Sequence, residues 1–380
     1  MKKLSTDNLS AGMVVAKEIV TRRGQTIAEA GTVLTDQMIA RLSFYRITEV
    51  CIEEPKEAEE APAEKTAAEA PAEKEPKKEA EPESAIVNAY ASRISLDPKY
   101  QQFQILYTNE LSLLKDAMQA IIDGDYAHIH RQRLMDATAE LFASRTSLDL
   151  FDLLRRMRAL DDTVYAHSVN VAMISRAIGR WLKFSRHELD MLTLAALFHD
   201  IGKTQIPEEV LNKQGKLTDQ EFALIRQHPL LGSKLLKKIP KLDARIPFAA
   251  LQHHERFDGS GYPRGLTGDE IDDFAAIIAI ADVYDAMTSA RTYRTAKCAF
   301  QVIAAFEDEG LSKYNPKFIL TFLQHMASSY QNSRVFLSDG RSARIVYINS
   351  GSLSRPIVQL DDHSLLDLSK NPDLSITAIS

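Results

Sequence analysis

A mainly α architecture is expected for this chain of 380 residues, with a helical central domain between a small α+β unit at the N-terminus and a β-rich unit at the C-terminus. Three features lead there. Apolar residues recur at spacings of three and four in Leu111, Leu114, Met118 and Ile121, and again in Leu150, Leu153, Leu154 and Met157. Two capping boxes, Ser185 with Glu188 and Thr218 with Glu221, mark helix starts in the densest part of the chain. Towards the C-terminus this period gives way to strand-like runs at residues 344–348 and 356–360, separated by turns containing Gly, Ser and Asp.

Five segments follow in order. Residues 1–52 read as the small α+β unit: Val14, Val15, Ile19 and Val20 flank polar breaks, and Arg22, Arg23 and Gly24 mark a turn. Thr35 is a candidate N-cap for a short helix through Met38, Ile39 and Leu42, and Val50, Cys51 and Ile52 suit a closing strand. A unit of this size is marginal on its own. Residues 53–84 hold 12 Glu, 5 Lys, 8 Ala and 5 Pro with nothing to bury, so a disordered, solvated linker is expected rather than an acidic docking arm. Residues 85–149 are a helical connector, 150–330 the main helical domain and 331–380 the small β-rich unit.

The net charge of −6 is set by the linker, which carries −7 and leaves +1 for the other 348 residues. That balance excludes a strongly basic binder of polymeric nucleic acid, which needs a surplus of Lys and Arg. Cys51 and Cys298 lie far apart, which rules out a disulfide framework and suits a reducing compartment. No apolar run approaches the roughly 18–20 residues that cross a bilayer, and no secretory signal is visible, so a soluble, cytoplasmic protein with no membrane partner is expected.

Six of the ten histidines fall between residues 167 and 254. His167 lies in the helical stretch 165–172. His199 and Asp200 end the run from Leu192 to Phe198, His228 precedes Pro229, His253 and His254 follow Phe248 to Leu251, and Asp282 closes the apolar stretch 274–281. Taken singly, each has an ordinary reading: a satisfied core histidine at His167, a helix start at His228, a surface pair at His253 and His254. Taken together, several ionisable groups end or interrupt apolar segments, where they must be paired or ligated. Imidazoles and carboxylates on several helices suit a cluster of divalent transition metals, and a bridging carboxylate lets two ions sit about 3.5–4 Å apart, activating a bridging water for in-line attack on phosphorus. A single structural zinc fits less well, because no CxxC occurs.

Two further features flank this set. Gly259, Gly261, Gly265 and Gly268 crowd the segment after the histidine pair, which reads as an ordinary surface turn by composition and as a substrate-facing loop by position. Arg291 and Arg294 stand nine and twelve residues beyond Asp282, where guanidinium groups either hold phosphate and stack on bases or simply complement a helix end.

In the stretches Tyr165–Ala172 and His199–Lys203, in His228-Pro229 with Gly232, and in the stretches His253–Glu255, Asp258–Pro263 and Asp282–Thr288, the chain resembles the HD-GYP phosphodiesterases, bacterial HD-superfamily hydrolases of the second messenger cyclic di-GMP. The resemblance covers about residues 150–330, with the motifs in the family's order; residues 1–52 resemble, more weakly, a small leader unit found before some such domains. It implies an all-helical HD-type catalytic domain with a binuclear centre. On it, Asp200 bridges two ions, with His167, His199 and Asp282 on one and His228, His253 and His254 on the other. It also implies that Lys203 meets the scissile phosphate and protonates the leaving oxygen. Gly261, Tyr262 and Pro263 then shape the substrate side, and Arg291 and Arg294 hold phosphate or guanine.

The family's three-metal members carry a Glu one helical turn before the first His, where this chain has Thr163; two metals are therefore expected, and linear pGpG is favoured as product, with further breakdown to GMP left open. Iron or manganese suits the ligand types. Hydrolysis of cyclic di-GMP by a metal-bridging hydroxide is the leading expectation. The alternatives are a catalytically silent cyclic di-GMP sensor or partner-docking module, and an HD hydrolase of another cyclic dinucleotide. A homodimer and signalling partners stay open.

Overall fold

The computed structural model describes residues 98–142, 164–213, 215–289 and 297–379, together with short stretches of residues 2–52 and five residues between 150 and 157. Two compact units emerge, Met1–Ser43 with Ile47–Gln102, and Phe44–Arg46 with Phe103–Ser380. The linker expected at 53–84 lies outside the described residues.

In the first unit, β1 (Lys2–Ser5) pairs antiparallel with β4 (Glu49–Ile52), with Lys3 opposite Cys51, so the closing strand read from Val50 to Ile52 forms. A second antiparallel pair joins β2 (Ile19–Val20) and β3 (Thr26–Ala28). Val15, Leu34, Val50 and Ile52 are buried. Of the helix expected after Thr35, only Leu42 is described; it is helical and buried.

From Phe103, within α1 (Pro98–Asp123), the second unit runs through α2 (Arg131–Leu141), α3 (Val164–Trp181), α4 (Arg186–Phe198) and α5 (Glu208–Leu211). It continues through α6 (Asp219–Ile225), α7 (His228–Leu236), α8 (Arg245–Gln252), α9 (Asp273–Thr288), α10 (Ala299–Ala305) and α11 (Pro316–Ser329). Both capping boxes form. Ser185 Oγ accepts from the Glu188 amide at 3.3 Å while the Glu188 carboxylate accepts from the Ser185 amide at 2.8 Å, and Thr218 and Glu221 repeat the exchange at the start of α6. Asp272 caps α9 by accepting from the Phe274 amide at 2.8 Å.

Helices α3 and α9 run through the middle of this unit, and their sequences say why. Every residue from Ser168 to Gly179 in α3 and from Phe274 to Ala281 in α9 is buried, each large aliphatic side chain contributing about 1.5–3 kcal/mol. Helix α3 packs on α4 and α9, and α8 packs on α4 and α9, so the ends of four buried helices come together. Tyr107 of α1 anchors α3 from outside, donating to Asn170 Oδ1 at 2.7 Å with the Ala166 carbonyl 3.2 Å away.

After α4 the chain turns through a 3-10 segment, Ile201–Gln205, that lies against α7. Gly202 makes that approach feasible: a Cβ there would sit 1.9 Å from the His228 carbonyl oxygen and 2.5 Å from the Gly232 amide nitrogen.

The chain ends in a five-stranded antiparallel sheet ordered β8-β7-β6-β5-β9, formed by β5 (Arg334–Leu337), β6 (Ser342–Tyr347), β7 (Ile357–Leu360), β8 (Leu365–Asp367) and β9 (Ile376–Ile379). Its inward residues Val335, Ala343, Ile345 and Val358 are buried. Buried Glu307 ties the helices to it, accepting from the Leu353 amide at 2.6 Å and from the Ser354 hydroxyl. Among the described residues no helix is long and apolar enough to cross a membrane.

A candidate metal centre

His199 follows α4, His228 opens α7 and His253 follows α8, and each does the same thing with one ring nitrogen. Nδ1 of His199 meets the Ala196 carbonyl at 2.7 Å, Nδ1 of His228 the Ile225 carbonyl at 2.7 Å and Nδ1 of His253 the Ala250 carbonyl at 2.9 Å. A carbonyl oxygen only accepts, so each Nδ1 carries the proton and each Nε2 presents a lone pair. The helix ends therefore set the tautomer of three imidazoles, and those lone pairs turn to a common centre.

Asp200 occupies that centre. Its Oδ1 lies 3.2 Å from His228 Nε2 and 3.7 Å from His253 Nε2; its Oδ2 lies 3.5 Å from His199 Nε2, 3.6 Å from His167 Nε2 and 2.5 Å from Lys203 Nζ. From the other side α3 brings His167 and α9 brings Asp282, whose Oδ1 is 3.2 Å from His167 Nε2. His254 Nδ1 stands 4.0 Å from Asp282 Oδ2. Three groups have ligand atoms mutually within 4.8 Å: His167, His199 and Asp282; His228, His253 and His254; and His199, Asp200 and His253. Five imidazoles and two carboxylates spread from residue 167 to 282 thus share one neighbourhood.

The electrostatics are those of a site built for cations. Burial pushes the His199 and His253 imidazoles down and brings His254 to about 3, so these three rings are neutral donors. Burial also works to raise the Asp200 and Asp282 carboxyls. The Lys203 ammonium beside the first, and the hydrogen bond and charge of His167 beside the second, outweigh it and hold both well below the usual carboxylate range. His167 goes the other way: burial would lower it, but its hydrogen bonds to Asp282 and Asp285 raise it to about 10.

Divalent metal ions fit these residues on observations internal to the site. His199 Nε2 and Asp200 Oδ1 are fully buried and make no hydrogen bond, an expensive arrangement unless a cation takes up both lone pairs. His228 Nε2 and His253 Nε2 face each other at 3.2 Å with both protons committed elsewhere. All-nitrogen and oxygen donors of this kind suit divalent transition ions.

Two residues that shape the centre carry no role in the sequence reading. Asp285, buried on α9 three residues beyond Asp282, accepts from His167 Nδ1 at 2.8 Å and so directs Nε2 inward. The signal was its i, i+3 spacing from Asp282, which places both carboxylates on one helix face. Glu255, also buried, accepts from the Arg264 amide at 2.7 Å and the Leu266 amide at 3.0 Å, and so holds the glycine loop against the centre. No spacing in the sequence marks it.

The loop itself meets the centre through Tyr262, whose ring stacks on His254 at 4.7 Å and 22°. Gly261 lets it lie close: a Cβ there would come within 2.3 Å of the Arg256 amide nitrogen and 2.4 Å of Glu255 Cα. Pro263 follows through a cis peptide and, with Tyr262, lines a cleft shared with Phe222 and Arg226. Lys203 is 27% exposed at its side chain and so reaches the centre from the open side. Arg291 and Arg294 lie outside the described residues, as does Thr163.

The HD domain family matches residues 132–318. A cyclic di-GMP phosphodiesterase of Pseudomonas aeruginosa, PA4108, is 33% identical over 299 residues, which are 73% of this chain and 70% of that protein. A cyclic di-GMP phosphodiesterase of Thermotoga maritima is 36% identical over 199 residues, 50% of this chain and 53% of the relative. The 3'3'-cGAMP-specific phosphodiesterase 1 of Vibrio cholerae is 42% identical over 130 residues, 34% of this chain and 30% of the relative. The chain thus spans about half of the Thermotoga protein and less than a third of the Vibrio one. With the HD pair at the focus of the cluster and an identity of 33% sustained along most of the Pseudomonas protein, the chain belongs to the HD-GYP family of HD-domain phosphodiesterases.

Proposed function

We propose that this protein hydrolyses cyclic di-GMP to linear pGpG at a two-ion centre within a catalytic unit spanning residues 150–330. The observation that carries the reading is the convergence of five imidazoles and two carboxylates, two of their lone-pair atoms buried without a partner. Asp200 would bridge the ions, His167, His199 and Asp282 would hold one, and His228, His253 and His254 the other; iron or manganese suits such donors. Bound there, the ions supply Lewis acidity to the phosphoryl group and lower the pKa of water.

The chain's own residues do the rest. Lys203 places an ammonium beside Asp200 at the open side, where it offsets charge growing on the phosphoryl oxygens and donates a proton to the departing ribose oxygen. Asp285 holds the Nδ1 proton of His167, which keeps its Nε2 aimed at the centre. Tyr262, stacked on His254 and followed by Pro263, walls the substrate side and limits water there. Arg291 and Arg294 hold phosphate or guanine in this reading.

The test is an assay of manganese- or iron-loaded protein against cyclic di-GMP, 3'3'-cGAMP and cyclic di-AMP, with nucleotide products separated by chromatography. Accumulation of pGpG from cyclic di-GMP is expected. Absence of turnover with every metal and substrate would leave a binding module in its place. The identity with a cGAMP-specific relative favours a second reading, in which a mixed guanine–adenine ring is the better substrate.

A further inference from the structure

A cleft of about 360 Å³ opens beside the metal centre, lined by Asp219, Phe222, Arg226, Tyr262 and Pro263, with Ala223 and Gln227 completing its wall. Its makeup differs from that of the centre. The Arg226 guanidinium carbon sits 4.5 Å from the centroid of the Tyr262 ring, and Tyr262 itself stacks on His254. His254, Tyr262 and Arg226 thus form a continuous series of flat groups leading out from the centre into the cleft.

Phe222 stands four residues before Arg226, on the same face of α6, and is 52% exposed. Its ring is thus open to solvent at the wall of the cleft, where a flat group can stack on it. Asp219 lies one turn further back on that face, and its carboxylate makes no hydrogen bond or ion pair among the described residues. A planar cation, an open aromatic ring and an unengaged carboxylate sit together within a nucleotide's reach of a phosphoryl centre.

We infer that this cleft is a guanine subsite: the purine of a cyclic dinucleotide bound at the centre stacks between Arg226 and Phe222, and Asp219 accepts hydrogen bonds from its N1–H and N2–H. The inference rests on the proposed phosphodiesterase reading and goes beyond it by naming the residues that choose the base. Stacking on aromatic and guanidinium planes tolerates any base, whereas a carboxylate selects guanine, because adenine has no donor at N1. Tyr262 then has a positioning role, since its ring orients the Arg226 plane.

The experiment uses the 380-residue, manganese-loaded chain with cyclic di-GMP, cyclic di-AMP and bis(p-nitrophenyl) phosphate, a diester without a purine. Phe222→Ala and Arg226→Ala are each expected to lower the ratio of kcat/KM for cyclic di-GMP to kcat/KM for the aryl diester by about tenfold or more. Arg226→Lys, which keeps charge but not the plane, should show the same fall. Asp219→Asn should narrow the preference for cyclic di-GMP over cyclic di-AMP by about tenfold. Because each ratio is internal to one variant, a partly folded preparation does not mimic the effect. If the wild-type protein turns over cyclic di-GMP and both ratios stay within about twofold of wild type, the subsite is overturned while the phosphodiesterase reading stands. If the wild type neither binds nor hydrolyses cyclic di-GMP, both fall together.

Discussion

His228 and His253 point their Nε2 atoms at one another across 3.2 Å, each having given its only other ring nitrogen to a backbone carbonyl three residues upstream. Two lone pairs at that distance repel, and both rings are buried, so the contact is stable only with positive charge drawn into it. Asp200 supplies the complementary carboxylate 3.2 Å from one of the two and 3.7 Å from the other. Ordinary helix-end geometry thus gathers lone pairs and a carboxylate at one point, an arrangement that suits a bound cation.

Removing the carboxylate at the focus should therefore be decisive. Asp200→Ala and His199→Ala are each expected to lower turnover of cyclic di-GMP by at least about a thousandfold, with metal content falling in parallel when measured by elemental analysis. Undiminished turnover in either variant would remove the site from the reaction.

Asp285→Asn probes orientation rather than ligation. The residue contacts His167 Nδ1 and not the centre, so the change should weaken metal binding by about 10–100-fold while leaving the ligands in place. Titration with manganese should restore activity at high metal concentration. A variant whose metal affinity matches wild type would show that Asp285 only packs.

Gly202→Ala tests the close approach of the 3-10 segment to α7. The added methyl would lie 1.9 Å from the His228 carbonyl oxygen, so backbone must move, at a cost of about 1–3 kcal/mol that a thermal or urea unfolding curve would read. The same movement shifts Lys203 relative to His228, and activity should fall beyond the loss of stability. Equal stability would mean that the segments are free to part.

Glu110 gives the protein a distinct pH response. It is buried on α1, accepts from the Thr138 hydroxyl at 2.7 Å through one oxygen, and leaves Oε2 without a partner; burial raises its carboxyl from 4.5 to about 8. The folded form thus holds a proton that the unfolded chain releases above pH 4.5, so this residue's contribution to stability is lost as pH rises towards 8, by up to about 1.4 kcal/mol per pH unit. Glu110→Gln should flatten that fall between pH 5 and 8 in unfolding experiments. An unchanged slope would place the proton elsewhere.

Much of this was legible because local signals and tertiary demands agree. Ser185 and Thr218 cap helices where their spacing to Glu188 and Glu221 says they should, and the apolar run before Asp282 is buried along most of α9. The histidines were readable as a set because each ends or interrupts an apolar helix, where an unpaired imidazole is costly. Less legible were groups whose role is set by distant partners. Glu255 gains its function from amides nine and eleven residues away, and Glu110 from a hydroxyl on another helix. Nor could periodicity show that Arg226 lies on Tyr262, because that contact depends on how α6 sits beside the glycine loop.

Anomalous diffraction from manganese-loaded crystals, collected at two wavelengths bracketing the metal edge, tests the central claim most directly. Two peaks are predicted, one among His167, His199 and Asp282 and the other among His228, His253 and His254, with the Asp200 carboxylate between them. A single peak, or peaks away from these seven side chains, would contradict the two-ion centre and the chemistry built on it.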